Sequence, residues 1–210
     1  MRSLMLIGGL LLITVGCREG SETPKPPSPQ PQEAANTAIG VLQKMVTDQN
    51  YRAMGFDSLD QVKQAQLGAP LPVFDLGLNQ LKEYKPGTNP DTLLAQSSRT
   101  IYPVTVNGEV KSSVTINHGE RGYQASSFGN ADIVKSLSRY RRTEAPGNDF
   151  VVRVPAFNMY YIGRRVDSRL LLVPIIEDPR LKLKPGEAVP AETVLEQLVP
   201  LANAYNGLPM

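Results

Sequence analysis

The sequence predicts an α+β fold, an antiparallel sheet with helices packed mainly on one face. Three observations carry this. Two β-rich runs, residues 101–106 and 109–116, flank Asn107-Gly108, and Asn-Gly between such runs is the strongest short-range hairpin signal because both residues tolerate positive φ. Segments with apolar residues at helical spacing alternate with such runs along the chain. The only cysteine is Cys17, so the 41% of apolar residues must stabilise the fold by packing and not through disulfides.

Residues 33–48 predict the first helix, with Ala34, Ala38, Val41, Leu42, Met45 and Val46 on one apolar face. A shorter helix is expected over 59–66, opened by a capping box at Ser58-Leu59-Asp60-Gln61 and closed near Gly68. Residues 71–78 read as a strand with Phe74, Leu76 and Leu78 on one side. After the hairpin, a turn at 117–122 leads to a strand at 122–128. A helix over 131–140 follows, with Asn130 as N-cap and Ile133, Val134, Leu137 and Tyr140 facing inward. Strands are expected at 150–154, 157–163 and 169–176. A proline-punctuated loop then precedes a helix at 191–204, where Pro190 suits the first turn and Pro200 should kink or shorten the helix. Pro103 and Pro155 fall inside apparent strands and mark edges or bulges. Both halves read as three strands then a helix, which leaves a tandem duplication open.

The N-terminus carries an address. Arg2 precedes an apolar run of about a dozen residues, Leu4 to Val15, within the secretory range and short of the ~20 needed to span a bilayer. Gly16 and Cys17 follow. The stretch Leu12-Ile13-Thr14-Val15-Gly16-Cys17 resembles the lipobox of bacterial lipoprotein precursors, although Thr14 stands where that family usually has leucine. The resemblance covers seventeen residues. It implies a signal peptide over 1–16 and a lipid anchor on the Cys17 sulfur, the new N-terminus after cleavage. Plain secretion is the alternative. Residues 17–32 then form a lipidated, proline-rich tether whose prolines favour an extended spacer of roughly 3.1 Å per residue. One globular domain is expected over 33–210. The expected location is a bacterial cell envelope: the outer membrane where the host has one, otherwise the outer face of the plasma membrane.

With 22 basic and 20 acidic residues, the charge is nearly balanced, and no nucleic-acid partner is expected. No catalytic, metal or cofactor signature is found. His118, the only histidine, is expected in a turn beside Glu120. Glu177-Asp178 reads as a solvated turn. The most suggestive cluster is basic and aromatic. Arg139, Arg141 and Arg142 close the middle helix, and Tyr160, Tyr161, Arg164 and Arg165 close a strand. Were the two groups to meet, their guanidinium groups could bind an anion and the tyrosines could stack on a sugar or peptide. Much of this set also has a structural reason, since arginines complement a helix C-terminus.

These features point to a non-enzymatic binding or assembly role at the membrane surface. The partner class stays open between an envelope protein, a peptide and an anionic glycan. A peptide-binding regulatory or inhibitory module is the alternative, and a cell-envelope hydrolase a third reading.

Overall fold

The computed structural model describes residues 30–141 and 148–207. The signal peptide, Cys17 and nearly all of the tether lie outside the described residues, as does Arg142. Within them the fold is α+β, built on one mixed sheet.

The first helix, α1, spans Pro31–Met45 and begins two residues earlier than expected. Pro31 needs no N–H partner in the first turn, and the Glu33 carboxylate accepts the Gln30 N–H at 3.2 Å. The buried stripe is Ala34, Ala35, Ala38 and Leu42. Val41 and Met45 are exposed, because small alanines set a close approach that turns the wider face outward. Helix α2 is Leu59–Lys63. Ser58 caps it, but the Gln61 side chain reaches the Asp57 N–H, one residue before the expected partner. Gln66–Leu67 then forms β1, where a helical exit was expected.

Strand β2 is Leu71–Leu76, and Leu78 instead opens an unforeseen helix, α3, at Leu78–Glu83. Alternation along β2 puts Leu71 and Val73 on one side of the sheet and Phe74 and Leu76 on the other. Strand β3 runs Leu94–Val106, more than twice its expected length, after a 3-10 turn at Pro90–Leu93. Pro103 lies where β3 passes from pairing with β1 to pairing with β2. Its carbonyl accepts the Gly68 N–H at 2.7 Å, so the missing N–H costs no ladder bond. The hairpin to β4, Glu109–Gly119, closes through Asn107 and Gly108 at φ 52° and 81°. Strand β5 is Gly122–Phe128. His118 is not in the turn: it pairs with Tyr123 inside the β4–β5 ladder, and the turn is only Glu120-Arg121.

Helix α4 is Ala131–Tyr140. Asn130 stands at its N-cap in a left-handed conformation and makes no side-chain capping bond, contrary to expectation. The chain enters α4 through Gly129 and Asn130, both at positive φ, and that entry replaces the cap. Strands β6 (Asp149–Val154), β7 (Met159–Val166) and β8 (Arg169–Pro174) form a second meander, with Pro155 opening a 3-10 turn. Two residues, Val189–Pro190, pair with β8 as β9. Helix α5 runs Ala191–Ala204, its full expected length, with Pro200 inside it and exposed near its end.

The sheet order is β5-β4-β3-β2-β6-β7-β8-β9, with β1 beside β3. Every pairing is antiparallel except β2 with β6 at the centre. That parallel pair joins two meanders, each running outward and followed by a helix. On one face, α1 and α2 cover Tyr102, Val104 and Val114, while α3 and α5 cover Leu76, Val152 and Leu172. The opposite face carries α4, over Leu71, Val73, Val151, Ile162 and Val173. Among the described residues no helix is long and apolar enough to cross a membrane.

Candidate functional site

Alternation along the strands delivers Val151 to the α4 side and Val152 to the other. On the α4 side the apolar stripe lies under the C-terminal half of the sheet. Under the N-terminal half the same face is polar, because β4 presents Ser113, Thr115 and Asn117 there. A groove of about 520 Å³ opens between this polar area and α4, within the ~300–1,000 Å³ range of small-ligand clefts. Ile133, Val134 and Leu137 of α4, with Val73 and Ile101 of the sheet, form its apolar part.

Two bulges shape the polar wall. In β3 the register jumps between Pro72 and Phe74 of its partner, leaving Ser97, Ser98 and Arg99 opposite Val73 alone. In β5 the jump between Thr115 and Ile116 of β4 leaves Ser126 as the extra residue. Neighbours in a regular strand point to opposite faces, yet Ser98 with Arg99, and Ser126 with Ser127, both line the groove. The bulges turn them there, which is the common use of such irregularities beside binding sites.

The groove holds two cations and no carboxylate. Arg153 of β6 gives its Nε to Asp75 at 2.8 Å. Arg99 is half-buried and makes no ion pair among the described residues. The Ser98 hydroxyl donates to Asn117 Oδ1 at 2.5 Å, which leaves the Asn117 amide nitrogen to donate elsewhere. Helix α4 is fixed at its entry, where Ser113 Oγ donates to the Gly129 carbonyl at 2.6 Å and the Gly129 N–H bonds Ser113 O at 3.0 Å.

The structure brings only part of the sequence-predicted cluster together. Arg164 is buried against α4, where its Nε and Nη2 reach the Asp149 carboxylate at 3.0 and 3.2 Å and Nη2 also bonds the Tyr140 carbonyl. Arg141 donates to the Ala69 and Pro70 carbonyls at 2.9 and 3.4 Å, and burial lowers its pKa. These two arginines meet around Asp149, so they tie α4 to the sheet and do not form an open cationic patch. Arg165 points to the other face, paired with Asp91 at 2.8 Å and stacked on Phe150 at 4.4 Å. Arg139 is exposed and separate from that pair. Tyr160 lines the groove, whereas Tyr161 is buried on the opposite face with its hydroxyl 3.4 Å from Met159 Sδ. Burial pushes the Tyr161 pKa well up.

His118 stacks on Tyr123, ring centroids 4.4 Å apart, and does not line the groove. Glu177 and Asp178 border a separate hollow of about 90 Å³, where the Arg180 guanidinium bonds Asp178 at 2.6 Å and holds its carboxyl below the usual range. Among the described residues no cluster of three His, Cys, Asp or Glu could hold a metal ion.

Sequence reasoning missed Arg99, Arg153 and the serines. Three Ser-Ser doublets, 97–98, 112–113 and 126–127, fall one in each strand of the polar half, and that recurrence was the available signal. Arg153 inside the apolar run Phe150–Val154 was a second. No family model, curated protein or solved structure matches this chain.

Proposed function

We propose that this chain is a non-enzymatic binding domain of a bacterial envelope, carried on a lipid at Cys17, and that the α4 groove receives its partner. The observation that carries the reading is the groove itself: about 520 Å³, with its polar wall assembled by two bulges. A cation left without an ion pair in a half-buried position favours a site that is completed by a ligand. The anchor rests on the Met1–Cys17 sequence and supplies the location. The groove residues include no nucleophile–base pair, which is why binding and not turnover is proposed.

Photo-crosslinking in intact cells tests the groove. A benzophenone side chain at Ser127 should trap a reproducible adduct, and the same group at Gln43, exposed on α1, should not. Equal yields, or none from Ser127, would remove the groove reading. Mass spectrometry of the membrane-fraction protein tests the anchor. Wild type should carry an acylated N-terminal cysteine that Cys17→Ser lacks, and an unmodified wild type would refute it.

A second reading has one observation in its favour. Among the described residues the outer edge of β5 pairs with no strand, while β9 covers part of the β8 edge. An extended peptide could add to β5. Proline substitutions along β5 would then abolish binding while groove substitutions would not.

A further inference from the structure

We infer that the α4 groove takes an anionic saccharide, a hydroxyl-rich ligand whose carboxylate is held by Arg99 and Arg153; this rests on the groove being the binding site.

The charge argument comes first. The lining contains two guanidinium groups and no carboxylate, and Asp75 meets Arg153 only through Nε. That contact orients the guanidinium plane and leaves its terminal nitrogens without a hydrogen bond among the described residues. Arg99 has no ion pair there at all. A planar fork with free donors matches a carboxylate in two-point contact, and the neighbouring Asn117 amide adds another donor. Among the groove-lining groups at this end, the uncommitted guanidinium and amide nitrogens donate, and a ligand that accepts suits them.

The second argument separates a saccharide from an acidic peptide. A peptide gains most of its affinity from main-chain bonds to an open sheet edge. Inside the groove, β3 and β4 are paired on both sides except at the short bulge Ser97–Arg99, so most of their backbone groups are already spent and no continuous edge is left for a peptide to extend. What the wall offers instead is side-chain hydroxyls and amides, from Thr115, Ser127 and Asn130, together with the Tyr160 hydroxyl. Hydroxyls and amides both donate and accept. Sugar hydroxyls do the same, and the apolar part at Ile101 and Ile133 suits the C–H face of a ring.

The test uses the full-length chain in detergent micelles, titrated calorimetrically with trigalacturonate, with neutral galactotriose and with triglutamate. The inference expects saturable trigalacturonate binding, at least about tenfold tighter than galactotriose, or about 1.4 kcal/mol. Arg99→Gln should lose about tenfold in affinity with an unchanged melting temperature. Arg153→Gln should lose at least as much, and since it also releases Asp75, Arg99→Gln is the deciding variant. No saturation by trigalacturonate up to about 1 mM, the weak end of specific recognition, overturns the inference. Equal affinity of Arg99→Gln and wild type overturns it, as does triglutamate binding as tightly as trigalacturonate. If the Ser127 crosslink still captures a partner when trigalacturonate fails, only the ligand class is wrong. If both fail, the groove reading falls as well.

Discussion

Asp149→Ala is expected to cost about 3–5 kcal/mol, the range for removing one member of a buried ion pair. Asp149 and Arg164 keep only 2% and 10% of their side-chain surface exposed. The pair makes two parallel contacts, 3.0 and 3.2 Å, so truncating the carboxylate leaves a dehydrated guanidinium that, among the described residues, keeps its bond to the Tyr140 carbonyl. For a domain of this size the loss corresponds to roughly 6–20 °C in melting temperature, at about 2–4 °C per kcal/mol. The assay is urea unfolding of wild type, Asp149→Ala, Arg164→Met and the double variant. Removing both charges together should recover part of the loss, giving a coupling of at least about 1 kcal/mol, because the double variant no longer buries the Arg164 guanidinium without its carboxylate and leaves only Arg141 beside the gap. Since the pair is shielded from solvent, the cost should persist in 1 M salt (a Debye length of about 3 Å), whereas a surface pair would fade. A cost below about 1 kcal/mol, or single effects that simply add, would refute the claim that this pair fixes α4 to the sheet.

Asp57 is held below the usual carboxylate range by its hydrogen bond from Lys111, so its contribution is present above pH ~4 and is lost as pH falls through the lowered value. The stability gap between wild type and Asp57→Asn, measured by urea unfolding, should therefore begin to shrink below about pH 4 and vanish once the pH is below the lowered value; a gap that stays constant as the pH falls from about 4 to about 2 contradicts this. Burial raises the pKa of Tyr84, Tyr102 and Tyr161, so their contribution is complete below pH ~10 and is lost as pH rises through the raised values. Tyrosinate absorbance should show these three of the eight tyrosines titrating only with loss of the far-ultraviolet dichroism, and eight titrating in a folded protein would refute it. Gly163→Ala should cost about 1–3 kcal/mol in urea unfolding, because a Cβ there would lie 2.3 Å from the buried Phe150 ring; an unchanged midpoint would show that the ring yields freely.

The local code was legible wherever one short-range rule decided the outcome. Asn107-Gly108 places a tight hairpin because nothing else in the chain has to agree, and β5, α4 and α5 have the bounds that their patterns imply. Elements whose form depends on distant partners were not legible. Strand β3 extends back to Leu94 because β2 pairs along it, and the polar run Gln96–Arg99 carries no strand pattern of its own. Helix α3 forms where a strand face seemed to continue, since Leu81 packs into the core that α5 closes. His118 is expected in the turn Asn117-His118-Gly119-Glu120, yet its ladder with Tyr123 carries β4 past it. For the site the gap was wider. The arginines that stood out in sequence were those adjacent along the chain, while the groove draws Arg99 and Arg153 from strands separated by β2. Bulges set by pairing cannot be read from a single strand.

The asymmetry of the two sheet faces explains why the conspicuous arginines and the groove belong to one device. The face under α1, α3 and α5 buries most of the large apolar side chains and provides most of the packing energy. Helix α4 lies on the other face and fully buries only Val134 and Leu137, too little apolar surface to hold a ten-residue helix in place alone. It is held at its ends instead. Ser113 fixes the entry through two bonds to Gly129, and Arg141 and Arg164 fix the exit through carbonyls and Asp149. With both ends clamped, the groove opens along one flank of the helix, beside a sheet surface of serine, threonine and asparagine, while Val134 and Leu137 stay buried. A continuous apolar seam under α4 would have closed that space. The arginine cluster read from the sequence thus serves the groove from behind, and the loss of Asp149 should loosen the groove wall as well as the fold.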